Sequence, residues 1–432
     1  MKTSLTGNKR NILLTLMLTA VYTASYLCRY SYATVLPAMT EATGYSKTEL
    51  SVAVTCLFVC YSVGQLVSGF LVDRLPPKIL ILAGMILSCA FNLAVPFCGS
   101  LWLVRVLWCL NGFAQAFFWP PIVALMSGAF SQDEYARGTA WVAYGGYIGT
   151  ISLYLISPLL IRIWSWKALF IFSSSVGILI ALLFAFRFPD IRIKKDAQEL
   201  NQEPEADADP GTAQITDPCP KTGAVKRLSP ISIISPALLL IMFSILIQGF
   251  IKDGITTWMP TYISEMFRLD SGISILSGVV LPVFAIVCLK LTSLLYTKKI
   301  RNPLVCAFAL FGAGAVAALA LFLTGGKVAA LTVLFSALLT GAMHGANLML
   351  ICIVPSYFKD SGNVGFAAGL LNFTSYAGSS VSAYLLAAMS EHMDWRYIFA
   401  ILALASLAAG AICFAVRKFR PKSAVSTGGE TS

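Results

Sequence analysis

The chain has 432 residues, of which 57% are hydrophobic and only 12% charged. That is about half the charged fraction of an ordinary soluble domain, and with a mean hydropathy of +0.78 it excludes a soluble globular enzyme. The net charge of +11 raises nucleic-acid binding as a possibility, which the placement of Lys and Arg along the chain removes below.

Apolar runs of about 20 residues recur from Ile12 to Val416. Each is long enough to cross a bilayer, and lipid obliges such segments to be helices because it satisfies no open backbone groups. The first predicted span covers 12–38 and carries Arg29. It reads as a span rather than a removable signal peptide, being too long and lacking a small-residue cleavage site. A short loop, Thr40–Glu49, separates it from the second span at 50–72. The turn Asp73–Lys78 follows, then spans at 79–97, 102–130, 138–161 and 166–187.

Composition then changes abruptly. Residues 188–230 are rich in Asp, Glu, Lys, Pro and Gln, the composition of a flexible linker. Six further spans are predicted at 234–262, 271–297, 303–324, 328–357, 364–389 and 395–416, and the basic, then Ser/Thr/Gly-rich tail reads as disordered. The expected fold is therefore an all-α membrane protein of twelve transmembrane helices. Its expected parts are a six-helix half at 1–187, a cytoplasmic linker at 188–230, a second six-helix half at 231–417 and a tail at 418–432.

Twenty-one of the 31 Lys and Arg fall in the termini, the linker and the even-numbered loops. Seven fall in the odd-numbered loops, and Arg29, Lys252 and Lys290 lie at membrane depth. This asymmetry predicts a multi-pass protein of the plasma (inner) membrane with both termini cytoplasmic. The basicity is topological, so no nucleic-acid partner is expected. Eleven scattered Cys and two His show no metal-ligand or disulfide spacing, and no metal or cofactor is expected.

The halves repeat. Trp166-Lys167-Ala168-Leu169-Phe170 recurs 229 residues on as Trp395-Arg396-Tyr397-Ile398-Phe399, and Tyr147-Ile148-Gly149 recurs at the same offset as Tyr376-Ala377-Gly378. Arg29 and Lys252 lie 223 residues apart. Parallel repeats of this kind place a shared site at the midplane between the halves. Charges at membrane depth cost roughly 3 kcal/mol or more and mark substrate or ion pathways. The pair therefore predicts a central site for a doubly negative solute. Lys290, near the end of its span, is expected to snorkel.

Polar stripes converge on that site. Tyr22, Ser25, Tyr26, Arg29 and Tyr32 share one face of the first span, and Ser244, Gln248, Lys252 and Thr256 share one face of the seventh. Asn111, Gln115 and Trp119 do so in the fourth, Thr340, His344 and Asn347 in the tenth, and Asn372, Tyr376 and Ser379 in the eleventh. Expected substrate contacts are Arg29, Lys252, Tyr22, Tyr26, Tyr61, Gln65, Gln115, Gln248, His344, Asn372 and Tyr376. Asp253 is the acidic residue deep in a span; it reads either as a proton-coupling group or as an ion-pair partner that lowers the site's charge from +2 to +1.

Three motifs carry a family resemblance. Gly69-Phe70-Leu71-Val72-Asp73-Arg74-Leu75-Pro76-Pro77-Lys78 resembles the loop signature of the major facilitator superfamily, which implies a gating latch at Asp73 and Arg74. Asn111-Gly112-Phe113-Ala114-Gln115 with Trp119-Pro120-Pro121 is similar to a stretch of the organophosphate:phosphate antiporters. So are Trp258-Met259-Pro260-Thr261-Tyr262 with Glu265, and Ser131-Gln132-Asp133-Glu134. That resemblance implies an alternating-access antiporter exchanging a phosphorylated metabolite for inorganic phosphate, with Arg29 as a binding cation. It implies Arg at the position of Lys252 and, in many members, Lys at the position of Gln65. Arg offers phosphate a planar fork where Lys offers a point charge. The alternatives are a proton-coupled organic-anion or drug transporter and a non-transporting membrane sensor of sugar phosphate. A membrane enzyme has no nucleophile–base pair, metal cluster or phosphate loop in its favour. A monomer suffices for this fold.

Overall fold

A computed structural model describes residues 7–72, 74–130, 132–187, 234–324, 327–361 and 364–419. The linker predicted from composition, the tail beyond Phe419, and the side chains of the Ser131–Glu134 motif lie outside these described residues, as does Asp73. Fourteen α-helices among the described residues build twelve crossing segments. The first half contains α1 (Gly7–Thr43), α2 (Lys47–Val72), α3 (Pro77–Ala94), α4 (Leu101–Gln115), α5 (Trp119–Ala129), α6 (Gln132–Ile163) and α7 (Lys167–Arg187). The second contains α8 (Pro236–Phe267), α9 (Ser271–Ser277), α10 (Val280–Lys298), α11 (Pro303–Thr324), α12 (Ala329–Asn347), α13 (Val364–His392) and α14 (Trp395–Ala415).

Two spans expected to be continuous are interrupted. The fourth is α4 plus α5, broken at 116–118, because Pro120 and Pro121 fall in the first turn of α5 and lack the N–H groups a through-going helix needs. The eighth is α9 plus α10, separated by Gly278 and Val279. The tenth continues from α12 through a π-helical turn, Leu348–Ile353, and a 3-10 stretch, Val354–Ser361.

Among the described residues, eleven segments are long and apolar enough to cross a membrane by length and composition. The twelfth, α13, has 29 residues but carries Asn372, Thr374, Ser375, Tyr376, Ser379, Ser380 and Ser382. Its polar side chains are accommodated inside the bundle, where α13 packs against α8 and α2. Hydrophobic contact alone does not hold helices together in lipid, so close packing and interhelical hydrogen bonds matter more there.

The packing repeats as the sequence does. α1 lies on α6 as α8 lies on α13; α2 lies on α4 as α10 lies on α12; α3 lies on α7 as α11 lies on α14. The repeated glycines explain the first correspondence. A Cβ on Gly149 would meet the Thr23 carbonyl of α1, and a Cβ on Gly378 would overlap the Leu246 carbonyl of α8. Glycine at both crossings lets the backbones approach within the reach of a missing side chain. The two halves meet through α2 with α13, α6 with α9 and α10, and α1 with α8.

One end of the bundle is shut by bonds between the halves. Lys47 at the start of α2 pairs with Glu265 at the end of α8, 2.9 Å away. Glu265 also accepts from Trp395 Nε1 at 3.0 Å. Beside this pair, the Glu391 carboxylate at the end of α13 accepts from Thr48 N at 2.8 Å and Thr48 Oγ1 at 2.7 Å. A carboxylate from one half thus caps the N-terminus of a helix in the other, where free N–H groups and the helix dipole favour negative charge.

Candidate anion-binding cavity

A cavity of about 650 Å³ lies between the halves. Its lining runs from mid-bundle to the end opposite the Lys47–Glu265 seal, through Gln65, Gly69 and Val72 of α2, Val123 of α5 and Ile351 below α12. The cavity is therefore reached from the end that carries Arg74–Lys78 and both described termini.

The fourth-span motif builds one wall. The Gln115 amide donates to the Ser25 carbonyl at 2.9 Å and to Ser88 Oγ at 2.7 Å. Asn111 Nδ2 donates to the Cys28 carbonyl at 3.3 Å and its oxygen accepts from Ser88. Gly112 lies against the Leu57 backbone, with no room for a Cβ. These contacts fix the turn of α1 that precedes Arg29. After the break, Trp119 returns to the cavity and packs on Tyr22 with ring centroids 5.4 Å apart.

Arg29 is 5% exposed and sits behind the lining rather than in it. Its Cζ is 3.9 Å from the Tyr61 ring centroid and 5.2 Å from that of Tyr376, with Tyr26, Tyr30 and Phe58 at 5.8 Å. Aromatic faces stabilise a desolvated cation by ~2 kcal/mol. They do not replace hydrogen bonds, and Arg29 Nε and Nη2 have no partner among the described residues. A buried guanidinium with two free donors carries an uncompensated desolvation cost.

Lys252 and Asp253 face the cavity from α8 and are 7% and 5% exposed. Neighbouring positions on a helix ordinarily point apart, yet Lys252 Nζ bends back to within 3.4 Å of Asp253 Oδ2. Asp253 Oδ2 also accepts from Ser379 Oγ at 2.5 Å. Tyr376 lies between the cations, its ring 5.6 Å from Lys252 Nζ.

Of the expected contacts, Lys252, Tyr22, Tyr26, Tyr61, Gln65, His344, Asn372 and Tyr376 line the cavity. Gln115 and Gln248 do not. Gln115 is consumed as described, and Gln248 donates to the Met343 carbonyl at 3.1 Å and accepts from Ser375 Oγ. Both amides sit where three helices meet, so periodicity alone assigns them to the right face and not to the right depth. Tyr32, on the same stripe, is fully buried and donates to the Leu50 carbonyl. Arg74 is exposed and stacks over Phe70 at 3.9 Å. Lys290 is exposed on α10.

Tyr30 and Tyr147 line the cavity without falling on a predicted stripe. Tyr147 reaches across the halves to His344 Nδ1 at 3.4 Å. The internal repeat carried that signal, since Tyr147 is the counterpart of Tyr376. Ser379, which holds Asp253, lay on the eleventh-span stripe.

Two helical half-bundles related by repeat, with a cavity between them that presents Lys252 and Asp253, define a secondary-transporter fold. The chain belongs to the major facilitator superfamily: the description "Major Facilitator Superfamily" matches residues 18–353. It is 24% identical to the membrane sensor protein UhpC of Salmonella typhimurium over 92% of this chain and 89% of that one. It is 24% identical to the glycerol-3-phosphate transporter of Bacillus subtilis over 88% of this chain and 86% of that one. Among solved structures, a bacterial homologue of the human lysosomal transporter Spinster, inward-facing and unoccupied, superposes with a TM-score of 0.71 at 13% identity. That match covers 95% of this chain and 97% of that one, and it shows the fold alone. The chain is thus a multi-pass membrane protein homologous to sugar-phosphate and glycerol-phosphate transporters, and not an enzyme.

Proposed function

We propose that the protein carries a phosphorylated metabolite across the plasma (inner) membrane in exchange for inorganic phosphate, by alternating access. The observation that carries this reading is Arg29, a buried guanidinium with two unpartnered donors beside a cavity that also presents Lys252. An anion reaching both would form charge-assisted bonds to each half at once. Binding would relieve the unpaired charge, which ties occupancy to closure of the halves. The six tyrosines and Trp119 around the cavity suit a polar organic moiety with apolar faces. The excess of Lys and Arg at the open end supports an assignment of that end, and both termini, to the cytoplasm. The shape is then inward-open with the Lys47–Glu265 seal on the outside. In this scheme Asp73 and Arg74 latch the opposite, outward-open state.

The test is exchange in proteoliposomes preloaded with inorganic phosphate, measured as uptake of labelled phosphate against a panel of unlabelled competitors. Rapid exchange, inhibited by one phosphorylated metabolite and lost in Arg29→Ala, supports the antiporter. Absence of phosphate exchange in correctly folded protein sinks it. A second reading, a sensor of sugar phosphate, is favoured by the likeness to a membrane sensor protein over nine-tenths of the chain; ligand binding without flux would mark it.

A further inference from the structure

Two cations flank the centre of the bundle, but they are not equivalent. Lys252 is already paired: its ammonium lies 3.4 Å from Asp253 Oδ2. That carboxylate is anchored from the neighbouring helix by Ser379 Oγ. Among the described residues Arg29 has no carboxylate partner; its neighbours are rings, and its Nε and Nη2 make no hydrogen bond. The other groups facing Asp253 are Tyr30 on α1, His344 on α12 and Tyr376 on α13. Near pH 8 tyrosines and histidine are uncharged. The site then holds two positive charges and one negative, a net charge of +1.

We infer that the cavity is built for an anion of a single negative charge, and that Asp253 sets this preference by repelling the second charge of a dianion. The inference rests on the anion-site reading above and narrows it from phosphorylated compounds in general to their singly charged forms. A cargo seated between Arg29 and Lys252 cannot avoid the Asp253 carboxylate, because Lys252 and Asp253 are adjacent and Ser379 holds the carboxylate in place. Across ~7 Å at an effective dielectric near 20, one carboxylate disfavours each additional negative charge about tenfold to a hundredfold. A pure proton carrier at Asp253 would instead leave charge preference among anions untouched.

The test uses two esters of one alcohol at pH 8. A phosphate monoester is then a dianion, its second pKa being ~6, whereas the corresponding sulfate ester carries one charge at any pH. Affinities are measured by isothermal titration calorimetry on the detergent-purified chain. Wild type is expected to bind the sulfate ester at least as tightly as the phosphate ester. Asp253→Asn, which keeps an oxygen for the Ser379 hydroxyl, is expected to shift the ratio about tenfold or more towards the phosphate ester. The double variant Lys252→Gln/Asp253→Asn restores a net charge of +1, and its ratio is expected to return to the wild-type value despite weaker binding. A wild-type preference of tenfold or more for the phosphate ester overturns the inference without any variant, and so does an unchanged ratio in Asp253→Asn. Binding of neither ester to wild type removes the anion site itself, and with it the proposed function.

Discussion

Removing Glu391 tests the seal between the halves. Its carboxylate accepts two bonds from Thr48, at 2.8 and 2.7 Å, one of them from a backbone N–H at the start of α2. Capping bonds at a helix N-terminus are worth ~1–2 kcal/mol, and the exposure of this pair keeps the sum near the lower half of that range. Both bonds join opposite halves, so they exist only while this end is closed. Their loss in Glu391→Ala therefore falls wholly on the conformational equilibrium. At about 1.5 kcal/mol, the ratio of closed to open at this end should drop roughly tenfold. The assay is double electron–electron resonance between spin labels at Thr43 and His392, both exposed beside the seal, with the native cysteines replaced. The Glu391→Ala variant should show a new long-distance population at the sealed end, while the original peak shrinks. Lys47→Ala should add to it. An unchanged distance distribution in the double variant would refute the idea that these bonds hold the end shut.

Arg29→Lys should keep the buried charge but lose the two free donors of the fork, so anion affinity should fall at least tenfold by calorimetry, with Arg29→Ala worse. Gly378→Val should lower the unfolding temperature of the purified protein, by ~1–3 kcal/mol of overpacking, because its side chain would enter the Leu246 carbonyl. Gln115→Ala should cost ~1 kcal/mol of stability for each lost bond, seen as a lower unfolding temperature. Its effect on anion affinity should be smaller than that of Arg29→Lys, since Gln115 touches α1 and α3 rather than the cavity.

Much of this architecture is legible along the chain because lipid makes the code simple. A span must be helical, about 20 residues long and apolar, so the crossings follow from hydropathy. The repeat at 223 and 229 residues places Arg29 opposite Lys252, and the paired glycines Gly149 and Gly378 foretell matching helix crossings. The weakest signal, α13, is weak for a structural reason: it carries the polar residues that hold Asp253 and face the cavity.

Depth and partnership belong to the tertiary structure. Periodicity assigns Gln115, Gln248 and Tyr32 to inward faces, but only the neighbouring helices show that their polar atoms are spent on backbone carbonyls. It likewise puts Arg29 and Lys252 on a par. Packing separates them, enclosing one guanidinium in aromatic rings with two donors free and folding the other cation back onto its own neighbour. Lys47, Thr48, Glu265 and Glu391 lie up to 344 residues apart in the chain. No local pattern links them, because their bonds arise only where the two helix bundles meet at one end.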